Sequence, residues 1–162
     1  MPSDYLLELE GIKGEAQDSK HKDTIEVESF SWGATHPGSF AHGMGGSTGK
    51  VSFQDLTFTT KVNKASPNLM LACATGKHLG KATLHVRKAT GDGGQQEYYT
   101  ITLTDVLCSS YQSGGHSGNE SLPVDQFSLN FAKIKFAYKP QNSKGGLDPE
   151  IEGEYDIKAQ KK

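Results

Sequence analysis

Three times along this chain, the one-in-two alternation of apolar side chains changes parity inside a strand-like run. Phe127, Leu129 and Phe131 fall on odd positions, whereas Ile134, Phe136 and Tyr138 fall on even ones. Val51 and Phe53 give way to Leu56 and Phe58 in the same manner, and Ile25 and Val27 to Phe30 and Trp32. Strand side chains point alternately to two faces, so keeping the apolar ones inward needs one extra residue at each shift. That places β-bulges near Ala132-Lys133, Gln54-Asp55 and Glu28-Ser29. The other solution is a strand apolar on different faces in its two halves, one end in a core and the other in a subunit contact. Both suit a curved sheet closing into a barrel.

The expected fold is therefore mainly β: a two-sheet β-barrel in one domain over residues 1–162, with one flanking helix and an extended Gly-rich loop. Strand-like runs cover 5–9, 25–33, 50–60, 81–89, 96–109, 124–138 and 150–157. Gly91-Asp92-Gly93-Gly94 reads as a hairpin, since Gly and Asp accept positive φ. Of the 19 glycines, five fall in residues 34–49 and three in 114–118, marking two further loops. One helix spans about 64–76: Ser66 caps its first turn, Pro67 fits the first helical position, and Gly76 with Lys77 and His78 ends it. Leu69, Ala72 and Cys73 share one face, and so short a helix must pack on something, here the barrel.

Charge narrows the partners. Lys+Arg 17 against Asp+Glu 19, without blocks, gives no footprint for nucleic acid. No apolar run approaches the roughly 20 residues that span a bilayer. Met1-Pro2-Ser3-Asp4-Tyr5 has neither a basic start nor an apolar signal core, so synthesis in the cytoplasm without a signal peptide is expected. Cys73 and Cys108 imply no disulfide framework and read as buried apolar thiols.

Catalytic chemistry is missing from the sequence. Gly43 to Lys50 imitates a phosphate loop, but Met44 stands where the first glycine belongs, Val51 replaces the magnesium-holding hydroxyl residue, and a strand follows instead of a helix. Ser47 and Lys50 match a serine–lysine spacing without the helix start it needs. His21, His36, His42, His78, His85 and His116 lack metal-ligand spacing. Gly114 to Gly118 has the wrong register for a nucleophile elbow. No catalytic residue, cofactor or metal site is expected.

Several segments together resemble one family. Gly11-Ile12-Lys13-Gly14-Glu15, then Asp18-Ser19-Lys20-His21 and Ile25-Glu26-Val27, are similar to the opening of the haemolysin-coregulated proteins, Hcp. Phe30-Ser31-Trp32-Gly33, Gly49-Lys50-Val51, Gln54-Asp55-Leu56, Ser66-Pro67-Asn68-Leu69-Met70, Gly76-Lys77-His78 and residues 84–88 and 124–141 continue the likeness in the family's order. The tail from Asn142 has no matching motif. The resemblance implies a tube subunit of a bacterial type VI secretion system: a β-barrel with one helix, forming a homo-hexamer whose rings stack. A contractile sheath surrounds the tube, a VgrG-type spike tips it, and contraction expels both. The lumen holds small effector proteins, so the subunit is also a carrier and chaperone with no enzymatic role.

Two other classes compete. One is a small β-sandwich that binds carbohydrate on Trp32, Tyr98, Tyr99 and Tyr111; the other is a hydrolase using His116 and Ser117. Under the tube reading, Phe30 and Trp32 face the core and Ser29 and Ser31 the free side, lining the lumen as effector contacts. Leu6, which does not fit the inward register, and Phe40 and Met44 in the Gly-rich loop are expected at ring or stacking contacts.

Overall fold

A computed structural model describes residues 4–37, 50–89, 95–118 and 122–162. Its strands are β1 (Asp4–Leu9), β2 (Ile25–Glu26), β3 (Ser29–Ser31), β4 (Ala34–Thr35), β5 (Ser52–Phe53), β6 (Leu56–Lys61), β7 (Lys81–Ala89), β8 (Gln95–Thr104), β9 (Leu107–Gly114), β10 (Val124–Asn130), β11 (Lys133–Tyr138) and β12 (Ile151–Asp156). One helix, α1, spans Ser66–Thr75. The strands form a six-stranded sheet in the order β12-β11-β8-β7-β1-β2, a four-stranded sheet in the order β3-β6-β10-β9, and the small pair β4-β5. All pairings are antiparallel, and none of the three sheets closes on itself.

The parity shifts are corners between sheets, not bulges within one strand. At Glu28 the chain leaves the six-stranded sheet (β2) for the four-stranded one (β3). At Gln54-Asp55 it leaves the small pair (β5) for β6, and at Phe131-Ala132 it passes from β10 back to β11 in the larger sheet. Changing sheet reverses which side of the strand meets the core, and the sequence changes parity to match. Bulges do occur, but elsewhere: between Ser128 and Leu129 in the β10–β9 pairing, and between Val86 and Arg87 in the β7–β8 pairing.

The two large sheets face each other across one core. From the larger sheet come Leu7, Leu84, Ile101, Leu103 and Ile134; from the smaller come Leu56, Phe58, Phe127 and Leu129. Phe58 and Phe127, both without solvent exposure, stack at 5.2 Å between centroids. Each such side chain contributes about 1.5–3 kcal/mol by leaving water. Trp32 meets Phe136 edge-on at 5.8 Å and Phe30 packs between Tyr5 and Tyr99, so the aromatics of this segment face inward as expected.

Helix α1 buries Leu69 and Ala72 and ends where Gly76 turns left-handed at φ 66. Its start differs from the expected one. Ala65 is the cap, without a side-chain bond, and Ser66 is already helical. The Ser66 hydroxyl instead accepts the Asn63 N–H at 3.0 Å and donates to the buried Asp125. The expected strand over 96–109 is two strands, split where Asp105 adopts φ 57. The hairpin residues 91–94 lie outside the described residues, but the strands on either side of them pair as the hairpin requires. Of the Gly-rich stretch, Ala34–Thr35 are strand β4, held against β5. Phe40 and Met44 lie outside the described residues.

Candidate functional site

The outward faces of the two large sheets differ in chemistry. On the four-stranded sheet, register aligns Ser29, Thr59, Gln126 and Gln112 in one row, and Ser31, Thr57, Ser128 and Ser110 in the next. These side chains are hydroxyls and amides, without a charge among them. On the six-stranded sheet, the corresponding rows run Thr83, Thr102, Lys135, Glu154 and Lys81, Thr104, Lys133, Asp156. Ion pairs lace that face, including Lys133–Glu154 at 2.8 Å and Lys135–Glu152 at 3.1 Å. The centre of one wall is neutral and hydrogen-bonding, with Asp55 at one end and the Lys61–Glu28 pair at the other; the second wall is charged.

Ser29 and Ser31 are exposed on the neutral wall, as their alternation with Phe30 and Trp32 requires. Further along the same wall, the β9 bulge sets Ser109 and Ser110 both against Ser128, at 2.7 and 2.6 Å. Ser109 also donates to Asp55 at 2.6 Å, and Asn130 Nδ2 donates to the other oxygen of that carboxylate at 2.9 Å. The bulge thus makes a fixed chain of hydroxyls at the edge of the wall. Sequence reasoning missed it, because Ser109 and Ser110 share a face only through the bulge.

Leu6 lies on the face opposite the core, as its register indicates, next to His85 and Glu26. It is nevertheless only 4% exposed within the single chain, with Asp18 and Arg87 nearby. Little of its surface is left for a neighbouring subunit. The Arg87 guanidinium, 6% exposed, bonds both oxygens of Asp18 at 3.0 and 2.8 Å and Asp4 at 3.1 Å. That hydrogen bonding holds the Asp18 carboxyl down at about 2 against the opposing effect of burial.

The residues offered for other chemistries do not assemble a site. Trp32, Tyr99 and Tyr111 pack against the core, and the Tyr111 hydroxyl is committed to Asp125 at 2.9 Å. Tyr98 meets Tyr138 edge-on with Lys88 over its ring, so the four aromatics present no common platform for a sugar. His116 and Ser117 sit exposed on the turn after β9. A groove of about 810 Å³ beside β1 carries charges of both signs, from Glu8 and Glu10 to Lys13 and Lys81, and its described lining contains no serine, cysteine or histidine. No helix among the described residues is long and apolar enough to cross a membrane.

Comparison with known proteins decides the family. The family described as "Type VI secretion system effector, Hcp" matches residues 6–138. The chain belongs to the Hcp family. Protein hcp1 of Pseudomonas aeruginosa is 43% identical over 148 residues, covering 91% of this chain and 90% of that one. The crystal structure of Hcp1 from Salmonella typhimurium superposes with a TM-score of 0.79 at 34% identity, over 99% of each chain. A structure of a type six secretion system protein, also covering 99% of each chain, reaches 0.90 at 27% identity. The mainly β Hcp fold with its single helix is thus established for this chain, and the likeness to the solved structures extends past residue 138 into the tail that carries β12.

Proposed function

We propose that this Hcp-family chain is a non-enzymatic tube subunit that forms hexameric rings, with small effector proteins carried in the lumen. The rings stack within a contractile sheath, meet a VgrG-type spike, and leave the bacterial cytoplasm with it when the sheath contracts. The observation that carries this reading is the neutral wall of the four-stranded sheet, with Ser29 and Ser31 exposed on it. A wall of hydroxyls and amides binds unrelated cargo surfaces through hydrogen bonds that water readily replaces. Its two central rows carry no charge, so they select against neither acidic nor basic cargo. The charged wall, with its paired lysines and carboxylates, suits a hydrated surface.

A homo-hexameric ring closes through a heterologous contact, each subunit offering two different surfaces to its neighbours. Light scattering on the gel-filtered protein, with electron microscopy of the same fractions, tests the assembly. The expected result is a ring about six times the mass of the chain. A monodisperse monomer at the highest attainable concentration is the result that rejects the tube reading.

A further inference from the structure

His21 and His85 lie far apart in sequence, yet their rings stack at 4.2 Å between centroids, 26° from parallel. Three local features bring them together. Asp18 accepts the backbone N–H groups of Lys20 and His21, each at 3.0 Å, and so fixes the turn that carries His21. Arg87 grips the same Asp18, which ties that turn down on β7. The bulge opposite Arg87 makes Glu97, instead of Tyr98, the strand partner of Arg87, and so turns Glu97 onto the face of His85.

The result is a compact donor set. His85 Nδ1 hydrogen-bonds Glu97 Oε1, and His21 Nε2 lies 3.6 Å from Glu97 Oε2. One ligand atom from each of the three residues falls within 4.8 Å of the others. The imidazoles are shielded, with side chains 17% and 13% exposed. On its far edge, His85 Nε2 meets Glu8 Oε1 at 3.4 Å. Four carboxylates (Asp4, Glu8, Asp18 and Glu97) stand around this cluster against the single guanidinium of Arg87. Arg87 is engaged by Asp4 and Asp18, which leaves Glu8 and Glu97 to the imidazoles.

We propose that His21, His85 and Glu97 form a binding site for a divalent transition-metal ion, Zn²⁺ being the ion that the donor set fits best. Two imidazole nitrogens and a carboxylate are a recurrent zinc ligand set, with water completing the tetrahedron. Ligand atoms on a tetrahedral zinc sit about 3.4 Å apart, so small side-chain rotations suffice to close the set. Coordination through Nδ1 of His85 displaces the proton it shares with Glu97, and Glu8, 3.4 Å from Nε2, then accepts the remaining Nε2–H and holds that tautomer. Imidazole and carboxylate, with no thiolate, favour zinc, nickel or cobalt(II) over copper(I), and over calcium or magnesium, which seek oxygen alone. A bound ion clamps the turn around His21 to β7 and β8. The inference is independent of the tube reading, since it concerns one chain and the charged wall.

The test uses the full-length protein, stripped with chelator and titrated with ZnCl₂ by calorimetry near neutral pH. One equivalent per chain is expected to bind, weakened by Glu97→Gln by at least the roughly 10–100-fold that loss of an outer-shell partner costs, and abolished in the His21→Asn, His85→Asn double variant. Circular dichroism of the metal-free variants reports whether they fold. Cobalt(II) added to the unaltered protein supplies a second readout, the intense visible bands of a tetrahedral site, which does not depend on any variant. Calcium and magnesium at millimolar levels are expected not to compete. Absence of zinc uptake together with absence of the cobalt bands overturns the proposal, as does zinc binding undiminished in a folded double variant, which would place the ion on other histidines.

Discussion

Ser66, the first residue of α1, donates its hydroxyl hydrogen to Asp125 on β10, a carboxyl group with no solvent exposure and 59 residues away in sequence. Tyr111 of β9 donates to the other oxygen of the same group. One side chain therefore fastens the helix, a central strand and an edge strand where they meet. Removing it leaves the buried Ser66 hydroxyl and the half-buried Tyr111 hydroxyl without their acceptor.

Asp125→Ala is expected to lower stability by about 2–4 kcal/mol, because the loss of an acceptor strands both partners. Ser66→Ala removes only one of the two donors and should cost about 1–2 kcal/mol. Urea denaturation followed by circular dichroism measures both. Equal effects from the two variants would show that Tyr111 does not depend on this carboxyl.

Gly14 is predicted to resist any side chain. A Cβ there would overlap the carbonyl of Thr24, while its own N–H donates to Asp23 at 2.9 Å. Gly14→Ala forces the two sides of this loop apart, at about 1–3 kcal/mol by analogy with overpacked cores. Thermal unfolding is the check, and a melting temperature equal to that of the unaltered protein would contradict it.

Cys108 is expected to be an unreactive thiol. Burial, reinforced by the neighbouring Cys73, pushes it up to about 11. Since the thiolate is the nucleophile, its reaction with an aromatic disulfide reagent should rise about tenfold per pH unit from pH 8 toward that value. A Cys73→Ser variant isolates the reaction. Because burial is the leading cause, the slow rate should persist there, and a plateau below pH 9 would count against it.

Ser31→Gln is expected to keep the ring and reduce co-purification of a cognate effector at least about tenfold, or 1.4 kcal/mol in binding. The substitution adds bulk to the exposed neutral face without adding charge, so the core contacts of Phe30 and Trp32 stay in place. Effector recovered in undiminished yield from an intact Ser31→Gln ring would remove Ser31 from the cargo surface.

Sequence reasoning reached the fold through features that act locally. Pro67 and Gly76 bracket α1 because each restricts the backbone at its own position, and both ends were legible to within about two residues. Ser66 was misread as a cap because its hydroxyl is drawn to Asp125, a partner that no local pattern announces. Asp105 splits a long strand in two without a glycine or proline nearby to signal it. The facing of Ser29 and Ser31 was legible from alternation alone. The cluster of His21, His85 and Glu97 was not, since it depends on a one-residue bulge and on the hold of Arg87 upon a distant turn.

The corners between sheets have an evolutionary consequence. Inserting or deleting one residue turns every later strand side chain to the wrong face, and this holds at a corner too, where the facing is already set by the exact number of residues between the two strands. Glu28, between β2 and β3, is such a place: losing one residue there would drive Ser29 and Ser31 inward and expel Phe30. The corner thus acts as a reading frame for the wall that follows it. Substitutions can vary the character of that wall one residue at a time, but changes of length at its entrance are closed to drift.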